Sequence, residues 1–204
     1  EFQMYNFTCL DNNSIFYFTN CVNAPKKYIE HLEEMDKNLN SYPYIEKWRN
    51  WTASNDQSNI YGQQKYIDSR PLSNDQNLNK KMLYLINAIK EPLHMCSNRY
   101  ADAKQLGNIT EINYFAINKY FLGQAMGPHL DSYGDSNKIT FSTLIYLNDN
   151  YEGGEIEFPE QNIKIKPEEG SVLIFPTYHP FIHKSYEVKN GYKYFVLAEF
   201  GVEK

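Results

Sequence analysis

Arginine is scarce in this chain. Arg49, Arg70 and Arg99 are the only three, and 20 basic residues face 25 acidic ones. A net charge of −5 without an Arg-rich patch argues against a nucleic-acid surface, which needs a basic excess to neutralise phosphates. Cysteine is equally sparse: Cys9, Cys21 and Cys96, odd in number and with no CxxC pair. That set predicts reduced thiols rather than a disulfide framework or a cysteine-ligated zinc. No apolar run approaches about 18 residues, so no membrane-spanning helix is expected. Nor does a basic segment lead into an apolar core near the start. No signal peptide is therefore visible, and the expected location is the cytoplasm.

Aromatic residues are abundant, with 18 Tyr and 12 Phe in 204 residues. Such a chain can bury a large core, which excludes wholesale disorder. Tyrosine and phenylalanine also suit pleated sheet better than helix. The length favours one domain over two.

Periodicity divides the chain near Gly107. Residues 1–106 read as a helical support with edge strands. A short strand is predicted over 14–19, then a helix capped at Asn23 that carries Tyr28, Leu32, Met35 and Leu39 on one face. Residues 40–76 are polar and irregular, with Trp48 and Trp51 as candidate buried anchors. From Leu78 onward, Met82, Leu85, Ile89, Leu93, Cys96 and Tyr100 recur at helical spacing, and Pro92 is expected to interrupt or kink that helix. Residues 107–204 carry strand-length runs at 112–121, 138–148, 155–158, 163–166, 171–175 and 192–200, separated by Gly, Pro and Asn/Asp turns. The expected fold class is α+β, with a sandwich or barrel of strands.

His129-Leu130-Asp131 carries the first chemical signal. On a strand, residues i and i+2 share a face, so an imidazole and a carboxylate converge there. His183, beyond the next predicted strands, offers a third donor. Two histidines and one carboxylate on one side of a metal form the facial triad of non-haem Fe(II) oxygenases, which leaves coordination positions open. A structural zinc would favour four protein ligands, often cysteine, and no cysteine lies beyond position 96. His179 competes with His183 for the distal position but fits the downstream spacing badly. Lys193, on the last predicted strand, could hold a remote carboxylate by a charge-assisted bond.

The motifs then align as a set. Tyr120-Phe121-Leu122-Gly123-Gln124 precedes Pro128-His129-Leu130-Asp131; Tyr146-Leu147-Asn148-Asp149 precedes Gly153-Gly154-Glu155 and Phe158-Pro159; Pro167, Gly170 and Phe175 follow; and His183, Val188, Gly191 and Lys193-Tyr194 end the series. In order and spacing this resembles the prolyl-4-hydroxylase-like branch of the Fe(II)/2-oxoglutarate dioxygenases, over roughly residues 112–200.

The resemblance implies a double-stranded β-helix (jelly-roll) core over 107–204 with supporting N-terminal helices. It implies His129, Asp131 and His183 as Fe(II) ligands, and Lys193 as the anchor for the distal carboxylate of 2-oxoglutarate. Tyr120 would add a hydroxyl to that anchor, and Ser142 would line the same pocket. The implied cofactors are Fe(II), 2-oxoglutarate and O2, with ascorbate as an accessory reductant. The implied reaction couples oxidative decarboxylation of 2-oxoglutarate to hydroxylation of an aliphatic C–H, prolyl-4-hydroxylase-like on a peptide or protein. Retention of Asp131 favours hydroxylation over halogenation. The peptidyl-proline enzymes commonly carry Arg three residues before the Ser142 position, where this chain has Ile139. A free amino acid or small metabolite therefore stays open as the substrate, and a non-redox metal-binding jelly-roll is a lesser alternative. No nucleic-acid or membrane partner is expected. Ser132–Lys138 and part of 52–76 are expected to frame the opening above the iron as lids, with Tyr133, Tyr61, Lys138 and Arg70 as substrate contacts.

Overall fold

Strict alternation along the C-terminal strands builds two cores on the two sides of one sheet. In the computed structural model, residues 6–37, 49–50, 65–68, 80–131 and 140–202 are described. Before the midpoint come β1 (Asn6–Leu10), β2 (Ile15–Thr19), α1 (Lys26–Lys37), β3 (Arg49–Asn50), β4 (Lys65–Asp68) and α2 (Lys80–Ala103). Then follow β5 (Ile109–Tyr120), β6 (Met126–His129), β7 (Phe141–Tyr146), β8 (Glu152–Gly153), β9 (Ile156–Phe158) and β10 (Ile163–Ile165). The chain closes with β11 (Val172–Pro176), β12 (His183–Ser185), β13 (Val188–Asn190) and β14 (Lys193–Val202).

The major sheet runs β1-β2-β11-β7-β14-β5-β4-β3 and the minor sheet β10-β9-β12-β6, with β13-β8 as a separate pair. The central strands are buried on both faces, so they read as continuous apolar runs. On β14, Tyr194, Val196, Ala198 and Phe200 pack with Leu32 of α1 and with Ile89, Leu93, Cys96 and Tyr100 of α2. Phe195, from the alternate face, packs instead with Tyr120, Tyr146, Phe158 and Phe175 between the sheets. This is the expected jelly-roll with supporting helices.

The first half contributes more strand than the sequence suggests. Asn6–Leu10 forms a hairpin with Ile15–Thr19 on one edge of the major sheet, and Lys65–Asp68, inside the stretch read as irregular, pairs with β5 on the other. The hairpin turns through Asp11, Asn12 and Asn13, all with positive φ. Asx residues tolerate that region, so Asp-Asn-Asn between two apolar runs was an available hairpin signal. Pro92 does not interrupt α2, which runs unbroken from Lys80 to Ala103. Ile89, Leu93 and Cys96, all fully buried, pack the helix on the sheet on either side of the proline, and that packing outweighs the missing N–H. Trp48 and Trp51 lie outside the described residues. Among the described residues, no helix is long and apolar enough to cross a membrane.

Two glycines give a test of local backbone demand. Gly153 has φ +71, and a Cβ there would overlap the Glu187 carbonyl oxygen of the β12–β13 connection. Gly123 has φ +84 but nothing within 4 Å of the Cβ position. Gly153→Ala should therefore combine backbone strain with a collision and cost about 2–4 kcal/mol. Gly123→Ala should cost only about 1–2 kcal/mol, the left-handed backbone penalty. Thermal melts of the two variants check the ranking; an equal loss would mean the collision relaxes freely.

Candidate active site

Pairing of β12 with β6 brings the two histidines together. His183 stands opposite His129 in the antiparallel register, with ring centroids 4.3 Å apart. Asp131 follows immediately after β6. Its Oδ1 lies 3.3 Å from His129 Nε2 and 3.5 Å from His183 Nε2. The candidate donor atoms of the three residues all fall within 4.8 Å of one another, close enough for a single ion to reach each.

The backbone fixes which nitrogen each ring presents. His129 Nδ1 donates to the Gly127 carbonyl at 2.7 Å, and His183 Nδ1 donates to the Phe181 carbonyl at 3.3 Å. A carbonyl can only accept, so Nδ1 holds the proton and the Nε2 lone pair faces Asp131. Phe158 and Phe175 flank the His183 ring, with centroids 5.5 and 4.6 Å away.

The electrostatics suit a cation. Burial pushes His183 down to about 4, which keeps it neutral and able to ligate. Burial also works against ionising Asp131. The neighbouring His183 and His129, and a hydrogen bond from Ser142, outweigh that and hold its carboxyl at about 2. Burial works to lower His129 too, but Asp131, the Gly127 carbonyl and the charge of Glu199 together raise it. Two imidazoles, that of His183 buried and that of His129 partly so, and an ionised carboxylate are the donor set of a borderline divalent metal such as Fe(II), and the residues present fit that ion.

Beside the triad opens a cavity of about 310 Å³. Tyr120 of β5, Tyr146 of β7, Ser185 of β12 and Lys193 of β14 line it, together with His129, Asp131 and His183. Lys193 is 2 % exposed. Its Nζ donates to the Gly154 carbonyl at 2.7 Å and to Ser185 Oγ at 3.0 Å. The rings of Tyr120, Tyr146 and Phe195 surround that ammonium, with centroids 5.3–5.7 Å away. Burial, and then the charge of Lys166, bring Lys193 down to about 7 despite the opposing charge of Glu155. Gly154 makes room for this arrangement: a Cβ there would sit 2.8 Å from the Tyr151 ring and 3.2 Å from Lys193 Cδ. A buried ammonium among phenols, on the cavity wall next to a metal-competent triad, can take a carboxylate whose far end reaches the metal.

Six of the expected residues thus need placing, and five converge. His129, Asp131, His183, Lys193 and Tyr120 line one cavity. Ser142 does not line it; its hydroxyl donates to Asp131 Oδ2 instead. The inward face of β7 explains the difference, because Leu144 and Tyr146 are the residues of that strand on the cavity wall and Ser142 lies further along, behind the metal ligand. Tyr146 and Ser185 were not singled out from the sequence. Tyr146 was legible in principle, since it belongs to the Tyr-Leu-Asn-Asp motif and shares a strand face with Leu144. His179 is exposed and pairs with Glu160 at 3.4 Å, away from the cavity. Tyr133, Tyr61, Lys138 and Arg70, with the lid segments 132–138 and 52–64 and 69–76, lie outside the described residues.

Comparison with known proteins finds similarity in sequence profile and in fold. Residues 115–199 match the profile of the 2OG-Fe(II) oxygenase superfamily. No curated protein sequence matches the chain. Among solved structures, the chain resembles a viral collagen prolyl hydroxylase of Paramecium bursaria Chlorella virus-1 in its 2OG complex, with TM-score 0.63, 16% identity and 94% and 97% of the two chains covered. It also resembles a Pseudomonas putida prolyl-4-hydroxylase, with TM-score 0.65, 14% identity and 94% of each chain covered. A third likeness is to a Trichoplax adhaerens prolyl hydroxylase in complex with a hypoxia-inducible-factor peptide fragment, with TM-score 0.68, 15% identity and 93% and 84% covered. The profile spans both arms of the triad and Lys193, so residues 115–199 carry the 2OG-Fe(II) oxygenase pattern on a fold shared with the prolyl hydroxylases.

Proposed function

We propose that this dioxygenase hydroxylates an aliphatic C–H, prolyl-4-hydroxylase-like, on a peptide or protein. His129, Asp131 and His183 hold Fe(II), and Lys193 with Tyr120 holds the distal carboxylate of 2-oxoglutarate. The observation that carries the reading is the buried Lys193 ammonium on the wall of the triad's own cavity. When bound, the metal and its co-substrates supply the oxidation, one oxygen atom of O2 going to the substrate C–H and the other to succinate with loss of CO2. The protein's residues supply position and charge. Asp131 offsets part of the metal charge, and the two Nδ1–carbonyl bonds hold the imidazoles for ligation. The rings of Tyr120, Tyr146 and Phe195 exclude water around the Lys193–carboxylate pair, which strengthens it.

A free amino acid is the second reading. The cavity of about 310 Å³ lies at the small end of ligand sites, roughly 300–1,000 Å³, and 2-oxoglutarate takes a share of it. The test is succinate release by Fe(II)-loaded enzyme with proline-containing peptides and with free amino acids, each product checked by mass spectrometry for one added oxygen atom. Stimulation by peptides supports the first reading and stimulation by free amino acids alone the second. Succinate release that neither class raises would sink both.

A further inference from the structure

Two lysines meet one turn of the chain from different sides. From the cavity, Lys193 Nζ donates to the Gly154 carbonyl at 2.7 Å. From the solvent side, Lys166 donates to the Tyr151 carbonyl at 2.8 Å and to the Gly153 carbonyl at 2.6 Å. Lys166 follows directly after β10, and its Nζ also lies 3.5 Å from the centroid of the Tyr151 ring. That ring is buried and reaches Gly154, where a Cβ would meet Tyr151 Cε2 at 2.8 Å and Lys193 Cδ at 3.2 Å. The Tyr151 ring and the Lys193 stem therefore converge on Gly154, and Lys166 holds the far side of the same four residues.

Gly153 and Gly154 both have positive φ, and a stretch with two such glycines has much backbone freedom to lose. Charge-assisted bonds from the two ammonium groups fix its carbonyls. Resting on the dioxygenase reading above, in which Lys193 anchors 2-oxoglutarate, we infer that Lys166 is a positioning residue of the co-substrate site: it pins the Tyr151–Gly154 turn that holds Lys193 in place, and it adds a second positive charge behind the anchor. Asp149, Glu152 and Glu155 act on Lys166 by charge. Glu155 and Lys166 act on Lys193, whose ammonium the rings of Tyr120, Tyr146 and Phe195 surround. A cation behind the anchor has two effects. It attracts an arriving dicarboxylate, and it makes the Lys193 ammonium harder to form. The lysine therefore strengthens binding where Lys193 is already protonated, and it lowers the pH at which binding starts to weaken. Burial and then Lys166 bring Lys193 down in that sense.

The experiment titrates the full chain, loaded with Mn(II), with 2-oxoglutarate from about pH 6 to about pH 9, a range that brackets the Lys193 titration. Wild type is compared with Lys166→Met and Lys166→Arg. Methionine keeps an apolar stem over Tyr151 and removes the charge and both donors. Below pH 7 the dissociation constant of Lys166→Met should rise roughly two- to fivefold, the span of a solvent-screened charge. The pH above which affinity falls should move upward by roughly half a unit, because Lys193 loses a like charge nearby. Lys166→Arg keeps charge and donors, so its affinity should stay within about twofold of wild type with the break in place. Salt gives the same readout without a substitution. Lys166 is exposed and Lys193 buried, so raising the ionic strength should move the wild-type break upward and leave that of Lys166→Met nearly unmoved. A Lys166→Met profile that overlays wild type overturns the inference, as does a wild-type break indifferent to salt. A uniform loss at every pH with the break unmoved overturns it too, since the lysine would then only brace the fold. The same holds for a wild-type affinity that never falls above pH 7. Wild-type-like 2-oxoglutarate binding by Lys193→Ala would instead overturn the anchor reading itself.

Discussion

Alanine at His129 or His183 should abolish 2-oxoglutarate turnover while the fold persists. On the proposed reading each imidazole supplies one of the three protein donors found among the described residues, all within 4.8 Å of one another, and open positions are needed for co-substrate and O2. Loss of even an outer-shell partner of a metal ligand typically costs about 10–100-fold. Loss of a ligand should therefore remove at least about a hundredfold in metal affinity and drop succinate release to background.

The two variants should differ in stability. His183 is buried against Phe158 and Phe175, so its truncation opens a cavity and should cost about 2–4 kcal/mol. His129 is more accessible, with a quarter of its side chain exposed, and should cost less. His183→Gln, which keeps most of the volume, separates ligation from packing. Calorimetric titration with Mn(II), succinate release with Fe(II) and a thermal melt together decide. Wild-type-like turnover in either alanine variant would remove that residue from the metal site.

The chemistry of the site was more legible than its surroundings. His-x-Asp, a distant His and a following Lys announce themselves, because few residue types ligate metals and their order survives without knowledge of the fold. A strand's period of two also puts Lys193, Phe195 and Leu197 of β14 on one face, the one that lines the cavity. Ser142 failed for a different reason. Its strand face was right, but position along the strand decides whether a side chain meets the co-substrate or the back of Asp131, and periodicity carries no such depth. The first half was harder still. Asn6–Leu10 and Lys65–Asp68 are strands because a sheet edge was available to pair them, and edge pairing is a tertiary fact. Pro92 follows the same logic, a local helix-breaker overruled by the packing of Ile89, Leu93 and Cys96 on the sheet.

Lys193→Ala should raise the dissociation constant for 2-oxoglutarate by roughly ten- to a hundredfold, the equivalent of about 1.5–3 kcal/mol for a charge-assisted bond. Tyr120→Phe should cost less, since it removes one neutral hydroxyl and keeps the ring that packs on Phe195 at 5.1 Å. The wild-type affinity should also depend on pH in a definite direction. Burial holds Lys193 at about 7 before a carboxylate arrives, and an opposite charge within contact distance raises a lysine's pKa. Below pH 7 the ammonium is already present and affinity is flat. Above pH 7 binding must first take up a proton, so affinity falls by up to about tenfold per pH unit until the raised pKa of the complex is reached. Calorimetric titrations of Mn(II)-loaded enzyme at several pH values, in buffers of different ionisation enthalpy, measure that proton uptake directly. Lys193→Ala should bind weakly at every pH and take up no proton. An unchanged 2-oxoglutarate affinity in that variant would move the anchor elsewhere on the cavity wall. A wild-type affinity that does not fall above pH 7 would mean that Lys193 enters the complex already charged across the range.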